Sequence, residues 1–327
     1  MTLQDFLMDW RNDSDTISVH SSGSTGTPKV ILVEKKRMLA SAKMTCDFLH
    51  LQSGETALLC MSLDHIGAQM MVVRSIERNL NLIEIPPCGH PLAHLTEPID
   101  FAAMVPLQVY NSLQVPEEKE KLRNIKNLII GGGAISKQMA LELKSFPHAV
   151  WSTYGMTETL SHIALRPLNG EKATDWYTPF QGVQIRTNQD RCLCIKAPDL
   201  CSEELITNDI AEINHHGEFR IIGRKDNIIN SGGIKIQIEE VEKAIGFEGK
   251  QDIVIGSYPD DKFGQIVVLL TTRTDKDELN EKLKLLPKYW QPKKIIVTKS
   301  IPLTDNGKIA RAEVQKEIKE KINEAYI

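Results

Sequence analysis

Residues 56–85 read TALLCMSLDHIGAQMMVVRSIERNLNLIEI. Thr56 to Met61 is a short apolar run of strand character, Ile66 to Leu80 has helical spacing, and Asn81 to Ile85 reads as a second strand. Working outward, Arg37 to Leu49 is again helical, with Leu39, Met44 and Phe48 as expected core positions. Asn127 to Ile130 is another apolar strand that ends directly in Gly131, Gly132 and Gly133. Near the start, Ile17 to His20 leads into a loop rich in serine, glycine and threonine, and Lys29 to Val33 is the strand that leaves it. Strands alternating with helical patterns predict an α/β fold with a largely parallel sheet.

After Pro179 the texture changes. Short strands dominate (Val183 to Arg186, Arg191 to Lys196, Glu212 to Asn214, Glu218 to Ile222), and turn residues separate them. They predict a small β-barrel or meander attached to the α/β body. The charged stretch Gly223 to Asn227 reads as a linker. Beyond it lie a Gly-Gly turn and a helix with Ile238, Val241 and Ile245 on one side and a Glu239/Lys243 pair on its surface. Further strands and helices follow (Asp252 to Ile255, Gln265 to Thr271, Lys294 to Val297). The expected organisation is a large domain over 1–222, with its barrel part at about 179–222, a hinge at 223–227, and an α+β domain over 228–327.

With 39 basic and 43 acidic residues the net charge is −4, so no basic field argues for nucleic acid or an anionic membrane surface. No apolar run reaches the length of a membrane span, and the start, with Asp5 and Asp9 among apolar residues, lacks the pattern of a secretory signal. The six cysteines (46, 60, 88, 192, 194, 201) form no disulfide framework, so a reducing cytoplasm is the expected setting. Cys192 and Cys194 fall on one face of a strand, where sheet packing explains them without a metal.

Four stretches carry chemistry. Ser21-Ser22-Gly23-Ser24-Thr25-Gly26-Thr27-Pro28-Lys29 offers a tight backbone path, hydroxyls and N–H groups for an anion, and a mobile positive charge. It is not a Walker A loop, because two residues separate Gly26 from Lys29. Taken alone it is equally a flexible surface loop. Tyr154-Gly155-Met156-Thr157-Glu158-Thr159 supplies a carboxylate for a hard cation, a hydroxyl for a phosphate and a ring for a base. The third stretch is Gly223 to Glu239 and the fourth is Ile301 to Arg311, where a late lysine is by default a solvated charge.

In this order the four resemble the acyl-adenylate-forming superfamily of acyl- and aryl-CoA ligases, carrier-protein adenylation domains and luciferases. The resemblance runs from about residue 17 to 314. It implies a phosphate loop at Ser21, Ser22, Gly23, Ser24, Thr25, Gly26, Thr27 and Lys29. It implies a nucleotide site at Gly132, Gly133, Ala134, Tyr154, Gly155, Met156 and Thr157, with Glu158 holding Mg²⁺ and Asp209 and Arg224 holding the ribose. Thr207-Asn208-Asp209 resembles the family's T-G-D, with Asn208 in place of glycine. Lys308 would be the catalytic lysine, with Glu158 and Thr157 also in catalytic roles. Asp226 would be the hinge, and Gly232 and Gly233 would line the coenzyme A tunnel. The co-substrates would be ATP and coenzyme A with Mg²⁺, and a homodimer is permitted. One departure is large: the family's phosphate loop follows a long N-terminal region, and here it begins at Ser21.

For the acid, Met61 to Gly67 occupies the place of the family's segment at the acyl pocket. His65 matches a gating histidine, and Asp64 replaces a more usual aromatic. Arg74, Gly131 and Ser161 complete the implied pocket. The spacing of Arg74 and the phrase Y-G-M-T-E-T-L-S-H resemble the o-succinylbenzoate–CoA ligases of menaquinone synthesis, where an arginine here faces the substrate's distal carboxylate. Without the resemblance Arg74 is as well read as a solvated helix charge. Two alternatives stay open: a CoA ligase for another aryl or fatty acid, and a non-catalytic nucleotide-binding module.

Overall fold

The computed structural model describes residues 1–20, 30–133, 135–246, 252–274, 277–304 and 309–324. Helix α1 (Leu3–Arg11) starts on a capping box between Thr2 and Asp5. Strands β1 (Thr16–His20) and β2 (Val30–Glu34) then pair antiparallel, Thr16 opposite Glu34 and His20 opposite Val30. Helix α2 (Lys35–Phe48) buries Met38, Ser41, Ala42, Thr45 and Cys46. Leu39, expected in the core, is exposed, while Met44 and Phe48 are partly buried. The buried stripe sits beside the expected one because it includes Ser41 and Thr45, which an apolar pattern does not count.

The decisive segment folds as β3 (Thr56–Leu59), α3 (Ile66–Arg78) and β4 (Asn81–Glu84), with the strands parallel. Helix α3 stops at Asn79 in the left-handed conformation. Its residues Ala68 to Ser75 are all buried, as in a helix covered on every side. The chain continues through β5 (Phe101–Met104), α4 (Pro106–Gln114), α5 (Pro116–Arg123), β6 (Asn127–Ile130), α6 (Lys137–Leu143), β7 (Ala149–Gly155), β8 (His162–Pro167) and β9 (Thr178–Pro179). These strands form one sheet in the order β4-β3-β5-β6-β7-β8-β9, parallel from β4 to β7 and antiparallel beyond. Alternation along the parallel strands is clean. Ala57, Leu59, Phe101, Ala103 and Ile129 face a core shared with α1, α2 and α3. Leu58, Ala102, Met104, Leu128 and Ile130 face one shared with α4, α5 and α6.

The expected barrel or meander is an open meander of four antiparallel strands: β10 (Gln184–Thr187), β11 (Cys192–Lys196), β12 (Leu205–Ile213) and β13 (Phe219–Arg224). Cys192 and Cys194 are both buried in it and are free thiols. A single turn at Lys225–Asn227 joins β13 to β14 (Ile228–Ser231) and β15 (Ile234–Gln237). Then come α7 (Ile238–Ile245), β16 (Ile253–Asp260), β17 (Gly264–Thr271), α8 (Asp277–Lys284), β18 (Lys294–Val297) and α9 (Arg311–Glu324). The third sheet runs β15-β14-β17-β16, with β18 parallel to β17. Glu239 accepts hydrogen bonds from Asn227 and Gln237, rather than the expected contact with Lys243.

Arg311, at the start of α9, grips Glu242 of α7 with two hydrogen bonds of 2.7 Å and reaches the carbonyl of Ile255 on β16 at 3.1 Å. Glu242 also accepts from the Ile255 N–H at 2.8 Å. One bidentate pair thus ties two helices to a strand. Arg311→Met leaves Glu242 half-buried without its partner, and we expect a loss of about 2–3 kcal/mol. The denaturant midpoint measures it, and an unchanged midpoint would remove the pair from the account of this unit.

Candidate active site

The carboxyl ends of parallel strands are where an open α/β sheet binds ligands, above all where the strand order reverses. Here the order reverses at β3, whose neighbours β4 and β5 lie on opposite sides. The segment Met61 to His65 leaves β3 at that edge. His65 is exposed and caps α3 without a side-chain hydrogen bond. Two strands along, Gly131 follows β6. A Cβ there would lie 2.4 Å from Thr153 Oγ1, so only glycine lets β6 pass β7 this closely. Gly132 has φ +78°, and Gly133 lies against Pro106.

The turn from β7 to β8 is tighter. Gly155 pairs with His162, and a Cβ on it would come within 2.3 Å of the Ser161 carbonyl oxygen. Between them Thr159 Oγ1 reaches the carbonyls of Met156 and Ser161 at 3.0 and 2.7 Å. Leu160 is held at φ +66°, a conformation that costs about 1–3 kcal/mol and that its buried side chain keeps in place. Thr157 and Glu158 lie on this turn, and Glu158 is exposed with no ion pair among the described residues. A lone carboxylate completed by phosphate oxygens and water suits Mg²⁺. No group of three or more His, Cys, Asp or Glu gathers among the described residues.

Arg74 is not a solvated helix charge: it is 1% exposed. Its Nη2 donates to Ser161 Oγ at 2.5 Å, and its Nη1 reaches only the Met71 sulfur at 3.8 Å. Its Nε has no partner, and no carboxylate pairs with it among the described residues. Burial pulls the guanidinium down to about 10, so it stays charged at neutral pH. Ser161 Oγ lies 3.2 Å from Nδ1 of His162, whose Nε2 lies 3.0 Å from Thr45 Oγ1 on α2. Burial, and then the neighbouring Arg74 charge, hold His162 well below the ordinary histidine range. The structure therefore joins Arg74 to Ser161 and adds His162 and Thr45. Sequence reasoning missed both additions, since neither stands in a pattern that marks a buried polar contact.

A second chain of bonds leaves the same turn. Tyr154 donates to Asp209 Oδ2 at 2.6 Å, Arg224 donates to Asp209 Oδ1 at 3.1 Å and to Asp226 at 2.9 Å, and Asn208 reaches Asp226 at 3.2 Å. Burial, and then the Asp209 charge, raise the Tyr154 hydroxyl above its ordinary range, so it stays a donor. Its ring meets Phe219 edge-on at 5.0 Å. Gln237 Nε2 donates to the Arg224 carbonyl at 2.9 Å. Gly232 and Gly233 form the β14–β15 turn at φ +59° and +81°, beside Phe263. The loop Ser21, Ser22, Gly23, Ser24, Thr25, Gly26, Thr27, Pro28 and Lys29, together with Ala134 and Lys308, lies outside the described residues.

A family model described as AMP-binding enzyme matches residues 10–192, more than half of the chain. The chain belongs to the AMP-binding enzyme family. A solved AMP-forming acyl-CoA synthetase/AMP-acid ligase II-like protein from Dyadobacter fermentans is 32% identical. The match covers 96% of this chain and 93% of that one, with a TM-score of 0.66. A 2-succinylbenzoate–CoA ligase of Staphylococcus epidermidis is 27% identical over 91% of this chain and 69% of its own length. The o-succinylbenzoate coenzyme A synthetase of Bacillus subtilis, solved with ATP and magnesium ion, shares the fold at 19% identity. Its TM-score is 0.75, with 90% of this chain and 69% of that one covered. In this AMP-binding enzyme no helix among the described residues is long and apolar enough to cross a membrane.

The unfolded chain takes up a proton at residue 162 near pH 6.5, whereas folded His162 stays neutral well below that. Its contribution to stability is therefore complete above about pH 6.5 and is lost as pH falls toward the folded value, at up to about 1.4 kcal/mol per pH unit. Between pH 7.5 and 5.5 the unfolding free energy should fall more steeply for the wild type than for His162→Asn, and equal slopes would mean that His162 titrates in the folded chain as it does in the unfolded one.

Proposed function

We propose that this chain is an ATP-dependent acid–CoA ligase that activates o-succinylbenzoate as its acyl-adenylate and passes the acyl group to coenzyme A. The observation that carries the reading is Arg74: a buried guanidinium next to Ser161, with its Nε unpartnered and no carboxylate beside it among the described residues, in an AMP-binding enzyme. A dicarboxylic acid has one carboxylate to activate and a second to offer such a group, and a planar guanidinium takes it with two hydrogen bonds. Arg74 lies nine positions after His65, about 13 Å along α3 at the helical rise, so the second carboxylate would sit well inside the exposed His65 end of the helix. The names of the relatives agree with this choice of acid.

In the first half-reaction a carboxylate oxygen attacks the α-phosphorus of ATP, an acyl–O–P bond forms, and the bond to pyrophosphate breaks. Charge builds on the phosphate oxygens, and fixed cations stabilise it without solvent reorganisation. The residues from Ser21 to Lys29 would grip the outer phosphates, Lys308 would bridge the α-phosphate and the acid, and Thr157 would bond the α-phosphate. Glu158 would hold Mg²⁺, which neutralises phosphate charge when bound. Gly131, Gly132, Gly133 and Ala134 would separate adenine from the acyl group. Tyr154, Gly155, Met156, Asp209 and Arg224 would hold adenine and ribose. In the second half-reaction the thiol of coenzyme A attacks the acyl carbon and AMP leaves. A swing of residues 228–327 about Asp226 would replace Lys308 by the Gly232-Gly233 turn, and Arg224 and Asp226 are in contact at that hinge. Six free cysteines fit a reducing cytoplasm.

Arg74→Ala should raise the KM for o-succinylbenzoate about 10–100-fold while changing that of an analogue without the second carboxylate little. Equal effects on both would take Arg74 out of substrate binding. Lys308→Ala should slow adenylation by about 100-fold or more yet spare thioester formation from supplied acyl-adenylate. Both are read by pyrophosphate release with and without coenzyme A and by thioester formation in its presence, and a parallel loss in the two half-reactions would end the role given to Lys308.

A further inference from the structure

Behind Arg74 the hydrogen bonds run in one direction. Thr45 Oγ1 donates its hydrogen one turn back along α2, to the Ser41 carbonyl oxygen at 3.3 Å. Thr45 Oγ1 is then an acceptor for Nε2 of His162, 3.0 Å away, which places the ring hydrogen on Nε2. A neutral imidazole has one ring hydrogen, so Nδ1 is bare and takes the hydrogen of Ser161 Oγ at 3.2 Å. With its hydrogen committed, Ser161 presents only lone pairs to Arg74, and Nη2 donates to it at 2.5 Å. The ring is held edge-on to Phe180 at 5.5 Å and is 6% exposed, so it has little room to flip. A hydrogen on Nδ1 instead would spend a Ser161 lone pair on the ring and release the serine hydrogen, so that the direction of the hydroxyl would no longer be fixed by His162.

We propose that His162, held as its Nε2–H tautomer by Thr45, is a positioning residue that aims Ser161 and Arg74 at the second carboxylate of the acid. It thereby sets the preference for a dicarboxylic over a monocarboxylic substrate. The inference rests on the ligase reading above for the identity of that acid. His162 itself touches no substrate atom: it fixes which way Ser161 points, and Ser161 fixes one edge of Arg74, leaving Nε and Nη1 for the ligand.

Steady-state kinetics of the full chain test this, with o-succinylbenzoate and with the analogue lacking its second carboxylate. His162→Phe and the isosteric Thr45→Val should each raise the KM for o-succinylbenzoate about tenfold or more. The kcat, and both constants for the analogue, should stay within about twofold. His162→Asn, whose Oδ1 can still accept from Ser161, should recover most of the KM. Nitrogen NMR of the wild type should find His162 neutral with its hydrogen on Nε2. If His162→Phe does not fold, Thr45→Val and the spectrum decide. Equal losses with both acids, a fall in kcat alone, or a hydrogen on Nδ1 would each overturn the proposal. A wild type that ignores the second carboxylate would instead overturn the choice of acid and the specificity role with it, while a hydrogen on Nε2 would still uphold the relay to Arg74.

Discussion

A charged guanidinium buried without an anion is costly, because burial disfavours charge unless it is paired or hydrogen-bonded. Arg74, in the second half of α3, has no such anion among the described residues. Its surroundings tolerate it by withholding other charges. His162 is kept neutral, Ser161 offers a lone pair, and Met71 offers a polarisable sulfur. The neighbouring turn is built around the same contact. Ser161 can reach Arg74 only because Gly155 lets β8 close onto β7 and because Leu160 accepts a positive φ. A strained backbone position and a guanidinium without a carboxylate partner among the described residues thus occupy one place.

The same turn begins a second path. Tyr154 leaves β7 toward Asp209 of the meander, and Arg224 carries the path to Asp226 at the entry to the third sheet. Asp209 is shared between a phenol and a guanidinium, and Asp226 between a guanidinium and an amide. Each carboxylate therefore has charge-assisted partners that a sugar hydroxyl or a rearranged backbone can replace at modest cost. The residues proposed for the nucleotide and for the hinge are not separate features, because Arg224 bonds both Asp209 and Asp226.

Much of this was legible in the sequence where apolar runs coincide with strands. Residues 56–85 and 127–133 folded as read, because buried parallel strands show as continuous hydrophobic runs. Helix α5 was not legible: Pro116 to Arg123 is nearly all charged, and only Glu118 and Leu122 are buried. The stretch from Leu205 into β12 was missed for a similar reason, since its exposed Ile206 and buried Thr207 invert the usual pattern. At the site, glycines and charged residues stood out in the motifs, whereas His162 and Thr45 did not. Their significance lies in a contact between residues 117 positions apart, which no local pattern encodes.

That contact also accounts for Thr45 on the buried face of α2, where an apolar residue was expected. Ser41 and Thr45 replace methyl groups that would pack as well, and Ser41 Oγ remains without a partner. A fold selected for stability alone gains nothing from such a stripe. A fold that must keep an arginine charged and correctly turned inside its core gains an orientation for Ser161, transmitted from helix α2 through a neutral ring. Thr45 on α2, the neutral histidine and the strained turn at Leu160 all converge on Arg74, a positive charge with no carboxylate partner among the described residues.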